Sequence, residues 1–149
     1  MRFNQNHHNF FLRNLILKLV KKGNYRKAHK LGINLIKNFR NLTGISGNFI
    51  LYGAVFQAMP LLEVTSITRG RSRITIPKLI SLERSFNLGF LNLISNARKV
   101  SGKNSKLFIK ALNNEILNTF NGKSNTINQN NKNYKFARQN KMKMHFRWS

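Results

Sequence analysis

Apolar positions recur with the period of an α-helix along most of this chain. From Phe10 to Lys22 they fall at Leu12, Leu15, Ile16, Leu19 and Val20. Gly23 is a stop signal, and Lys21 and Lys22 occupy the last turn. A second helix is expected from Tyr25 to Arg40, with Ala28, Leu31, Leu35, Ile36 and Phe39 on one stripe. The region from Gly44 to Gly47 reads as a loop. A third helix, Asn48 to Met59, uses Leu51, Ala54, Val55 and Ala58 and must end before Pro60, which disfavours helix in its predecessor. A fourth, Ser81 to Val100, is lined by Leu82, Phe86, Phe90, Leu93 and Ala97 and ends at Gly102. A fifth, Asn104 to Asn121, turns Phe108, Leu112, Ile116 and Phe120 inward and ends at Gly122. Lys123 to Asn133 reads as an Asn-rich loop, and a last helix as Asn131 to Met144.

Leu61 to Pro77 breaks this pattern. Leu62, Val64, Ile67 and Thr68, then Ile74, Thr75 and Ile76, are strand formers on either side of Arg69-Gly70-Arg71-Ser72-Arg73. The segment predicts a β-hairpin with Gly70 in its turn. A two-stranded ribbon is marginal in water on its own, so it should project as an arm held by a partner. The expected fold is mainly α: a bundle of about six helices with a protruding two-stranded β-hairpin arm. Residues 1–9 form an N-terminal extension, and 10–149 a single helical domain with the arm at 61–77.

Charge decides the class of partner. The chain has 27 Lys and Arg against 3 acids, a formal net charge of +24. The acids are Glu63, Glu83 and Glu115, and no Asp occurs. Such a protein repels itself unless a polyanion surrounds it, and nucleic acid supplies that charge most densely. Every segment is basic, which fits a protein embedded in folded RNA better than one docked on a duplex. Hydrophobic residues make up 41% of the chain, enough for a true core rather than a disordered basic tail. The longest apolar stretch, Phe49 to Leu62, is too short to span a membrane.

Catalytic chemistry finds little to work with. The three Glu stand in three different elements, so each is expected to serve as a cap or an ion-pair partner rather than as half of a carboxylate pair. His29 and His145 have no acid near in sequence to orient them. No phosphate-binding glycine motif occurs, and cysteine is absent. An enzyme is therefore not expected, and neither cofactor nor metal is implied.

Two segments carry a family resemblance. One runs Pro60-Leu61-Leu62-Glu63-Val64 and then Arg69-Gly70-Arg71-Ser72-Arg73-Ile74-Thr75-Ile76-Pro77. The other runs Ala137-Arg138-Gln139-Asn140-Lys141-Met142-Lys143-Met144-His145-Phe146-Arg147-Trp148. With Ala97-Arg98 and Asn114-Glu115, they resemble small-subunit ribosomal protein seven of the bacterial and organellar type. The chain departs from that family at the turn, where Arg71 replaces a second glycine. A basic run before the last helix is replaced by Asn128-Gln129-Asn130-Asn131. The resemblance implies a structural protein of the small-subunit head that binds the 3′ major domain of the rRNA and supports head assembly. It places the arm near the exit-site tRNA and the mRNA path, and neighbouring head proteins beside the chain. Neither a membrane nor a second copy of the chain is expected among its partners.

The RNA contacts expected on this basis are Lys21, Lys22, Arg26, Arg69, Arg71, Arg73, Lys78, Arg84, Arg98, Arg138, Arg147 and Trp148. Asn, Lys, Ile and Phe, all abundant here, have AT-rich codons, and the start lacks the pattern of a signal or transit peptide. Both features lead to the expectation of a mitochondrial, organelle-encoded ribosomal protein. The alternative is another basic helical nucleic-acid binder, such as a DNA-compacting protein.

Overall fold

A computed structural model describes residues 5–102 and 104–143, with side chains from Phe10 onward apart from Arg69. The order is α1 (Gln5–Leu19), α2 (Tyr25–Thr43), α3 (Gly47–Ala58), β1 (Leu62–Arg69), β2 (Ser72–Leu79), α4 (Leu82–Ser101), α5 (Ser105–Phe120) and α6 (Asn125–Gln139). The expected architecture of six helices and one antiparallel ribbon is therefore present.

The inward stripes meet in one apolar core. Leu15, Ile16 and Leu19 of α1, Leu35 and Phe39 of α2, Phe90 and Leu93 of α4, and Leu112 and Ile116 of α5 are all buried. Helix α3 lies in the middle and packs against α1, α2, α4, α5 and α6. It buries Ile50, Leu51, Ala54, Val55 and Ala58. Close approach fixes its N-terminus: a Cβ on Gly47 would collide with the Ile36 carbonyl oxygen, so only glycine lets α3 start against α2.

The arm is an unbroken ladder from Leu62↔Leu79 to Arg69↔Ser72. It runs past Pro77, where the sequence reading ended it, because both strands of a two-stranded sheet are edges and tolerate a missing N–H. Gly70 has φ +60, while Lys22 is the one non-glycine with positive φ among the described residues. Glycine alone at the first turn position is the signature of a type II′ turn, so Arg71 can replace the second glycine without strain. Ile76 and Pro77 are buried at the base, whereas Ser72 and Arg73 are exposed at the tip. The base is tied down by side chains. Leu61 N–H donates to the Tyr134 hydroxyl (3.2 Å), and the Ser85 hydroxyl donates to the Pro60 carbonyl (2.6 Å). Arg84 makes a bidentate pair with Glu63, from Nε to Oε2 at 2.9 Å and from Nη2 to Oε1 at 3.0 Å.

Several helix boundaries differ from the sequence reading. Helix α1 starts at Gln5, inside the stretch read as an extension, and stops at Leu19 because both Lys22 and Gly23 turn left-handed. Helix α2 continues to Thr43, where Gly44 at φ +71 ends it by donating its N–H to the Arg40 carbonyl. The largest correction concerns Lys123–Asn133, read as a loop: α6 already begins at Asn125. The Ser124 hydroxyl accepts from Ile127 N–H, and the Glu115 carboxylate takes both Thr126 N–H (3.0 Å) and its hydroxyl (2.7 Å). Thr126, Asn130 and Ala137 then form a buried stripe at helical spacing. Asn130 donates to the Ala58 carbonyl at the end of α3, satisfying a group the helix leaves open. The helix also ends earlier than the Met144 expected for it: α6 stops at Gln139, where Asn140 donates its backbone N–H to the Phe136 carbonyl and a short 3₁₀ turn follows over 141–143.

Candidate nucleic-acid interface

A groove opens between the α1–α2 turn and the α4–α5 turn. Lys21, Lys22, Lys27, Arg98 and Lys106 line it, with no acid among its lining residues. Its floor is apolar and includes Leu31, Phe108 and Ile109. Two helix ends bring these cations together. At the α1 end, Lys22 (φ +50) and Gly23 (φ +72) reverse the chain, held by Asn24 N–H to the Lys21 carbonyl (3.1 Å). At the α4 end, Gly102 returns its N–H to the Arg98 carbonyl, which leaves Arg98 in the last turn. The Asn104 side chain then caps α5 by accepting from the N–H groups of Lys106 and Leu107.

Phe108 sits between two of the charges. Lys21 Nζ lies 6.0 Å from its ring centroid, and the Arg98 guanidinium carbon lies 5.8 Å from it. Each contact contributes roughly 0.5–1 kcal/mol at an exposed site, enough to bias two flexible side chains toward one place. The result is several cations converging on an apolar platform. That arrangement suits a phosphodiester backbone, whose charge the cations meet while sugars and bases lie against the floor. Among the described residues no group of His and Glu could hold a metal ion.

The structure thus gathers Lys21, Lys22 and Arg98 of the expected contacts into one site. Arg26 is exposed on the first turn of α2, beside Lys27 but outside the groove lining. Arg71 and Arg73 are exposed at the arm's tip, and Arg69 ends β1 opposite Ser72. Lys78 stands opposite Glu63 at the arm's base, where Arg84 is engaged by that same carboxylate. Arg138 is exposed on the last turn of α6. Arg147 and Trp148 lie outside the described residues. Lys27, Lys106 and Phe108 are groove residues that the sequence did not single out as contacts. In a chain this basic, their positions in the sequence did not set them apart from the other cations and rings.

Two of the three acids take the roles expected of them: Glu63 pairs with Arg84 and Glu115 caps α6, while Glu83 stands in the first turn of α4, which Ser81 caps. No helix among the described residues is long and apolar enough to cross a membrane.

Residues 2–141 match the profile of the family described as ribosomal protein S7p/S5e. The chain is 26% identical over 134 residues to small ribosomal subunit protein uS7 of Sulfurihydrogenibium sp. (strain YO3AOP1), covering 90% of this chain and 84% of the relative. It is 28% identical to the protein of the same name from Mycobacterium avium (strain 104), with the same coverage. The identity is also 28% to that of Mycobacterium leprae (strain TN), again over 90% of this chain and 84% of the relative.

Proposed function

This chain belongs to the ribosomal protein S7p/S5e family, a structural and non-enzymatic constituent of the small ribosomal subunit, and we propose that it binds small-subunit rRNA through the groove described above. The observation that carries this reading is the convergence of five cations on an acid-free groove with Phe108 in its floor. The finer assignments rest on the resemblance: contact with the 3′ major domain, support of head assembly with neighbouring head proteins, and an arm lying near the exit-site tRNA and the mRNA. The exposed arginines at the arm's tip favour that last placement, since guanidinium forks match phosphate oxygens and no core holds them elsewhere. We also propose a mitochondrial ribosome as the setting, on the codon bias alone; the three relatives named above are bacterial.

Titration of rRNA at several salt concentrations tests the groove. Each phosphate neutralised adds roughly 0.7–0.9 to the slope of log affinity against log salt. Replacing Lys21, Lys27 and Lys106 together by Ala should weaken binding and flatten that slope by about two units. An unchanged slope with native helicity would remove the groove from the interface.

A further inference from the structure

A second cleft lies between α4 and the first half of α6, and its chemistry is different. Five amides line it, among them Asn96, Asn128, Gln129 and Asn131, against three lysines that include Lys99 and Lys135. In a chain of net charge +24 this is a surface where amides, not cations, predominate.

The cleft is organised from below. Asn96, only 4% exposed, donates through Nδ2 to the Thr126 hydroxyl (3.0 Å) and to Gln129 Oε1 (3.4 Å). Its Oδ1 accepts from Lys99 Nζ (3.2 Å). Thr126 in turn donates to the buried Glu115 carboxylate. This network orients two of the groups that line the cleft. Gln129 has its oxygen engaged, so its NH₂ keeps donors for a ligand, and Lys99 keeps N–H groups beyond the one given to Asn96.

Phosphate alone is met better by Lys and Arg than by amides. An amide both donates and accepts, which matches the 2′-hydroxyl of ribose and the edges of bases. A-form RNA displays both in a wide, shallow minor groove, whereas B-form DNA has a narrow minor groove and no 2′-hydroxyl. We infer that the α4–α6 cleft seats the minor groove of an RNA helix, its amides bonding 2′-hydroxyls while Lys99 and Lys135 reach the bordering phosphates. The inference rests on the rRNA-binding reading and adds what this face recognises.

The test uses the full chain and two duplexes of one sequence, one of ordinary RNA and one with 2′-O-methyl riboses, which remains A-form but cannot donate from the 2′ position. Ordinary RNA should bind more tightly by ~10-fold, the scale of one to two net hydrogen bonds. Asn128 and Asn131 are exposed, so N128A/N131A should fold normally by circular dichroism. That variant should lose most of the discrimination while keeping the wild-type salt slope. Q129M, which retains length without the amide, should do the same. Equal binding of both duplexes by the wild-type chain at a steep salt slope overturns this inference and leaves phosphate binding standing. Discrimination that survives in both variants also overturns it. A flat salt slope removes the phosphate reading and this inference together.

Discussion

Lys22 shows how one residue can place function against stability. Its φ of +50 lies in the left-handed region, which costs a non-glycine roughly 1–2 kcal/mol, and Gly23 beside it is left-handed as well. Glycine at position 22 would adopt this backbone freely. Lysine there puts a charge on the lip of the groove. Lys22→Gly should therefore raise thermal stability, by up to ~1 kcal/mol after glycine's own entropy loss, while it weakens rRNA binding. The two measurements move in opposite directions only if the lysine is held in this conformation for its charge. Loss of stability together with unchanged binding would make Lys22 an ordinary turn residue.

At the scale of elements, the joint between the bundle and the arm depends on polar side chains from α4 and α6. The carbonyl of Ala58 is met by Asn130, that of Pro60 by Ser85, and Leu61 N–H by Tyr134. Helix α6 itself hangs on Glu115, which takes two hydrogen bonds from Thr126 on one oxygen, at the helix end where a negative charge is favoured. Glu115→Ala leaves those donors buried without a partner and should lower stability by about 1–3 kcal/mol, measurable by urea unfolding. Glu115→Gln keeps the accepting oxygen and should recover most of the loss. If the two variants are equally destabilised, the carboxylate's charge rather than its hydrogen bonding holds α6 in place.

These same elements explain what the sequence could and could not disclose. The stripes of α1 to α5 are written in Leu, Ile, Phe and Ala, so their period was visible. The arm was visible because Val64, Ile67, Ile74 and Ile76 surround a single glycine turn. The inward stripe of α6 is written in Thr126 and Asn130, residues of low helix propensity, so the helix passed for a loop. Its cap comes from Glu115, an acid on another helix. The groove was half legible. Lys21, Lys22 and Arg98 could be chosen for their places in last turns, but in a chain basic throughout nothing linear marks Lys27 or Lys106 above the rest. Their meeting with Phe108 is a product of tertiary packing.

For the whole molecule, charge sets two opposing responses to salt. Arg84–Glu63 is an ion pair between α4 and the base of the arm and is partly exposed, whereas the 27 Lys and Arg mostly face one another's repulsion. Screening relieves that repulsion: the Debye length shrinks from about 30 Å at 0.01 M to about 3 Å at 1 M ionic strength. The free protein should therefore become more stable as sodium chloride rises over this range, with a melting temperature higher by several degrees. Its affinity for rRNA should fall steeply over the same range, because the released counterions lose their entropic advantage. At low salt, a molar equivalent of rRNA should replace sodium chloride as the stabiliser, since ligand bound only to the native state raises the unfolding free energy by mass action. Scanning calorimetry with and without RNA at each salt concentration reads both effects in one series. The two curves should converge as salt rises, the free protein gaining while the complex loses. A free protein whose melting temperature falls with salt would show that its charges stabilise the fold through local pairs, and that the polyanion is not what completes it.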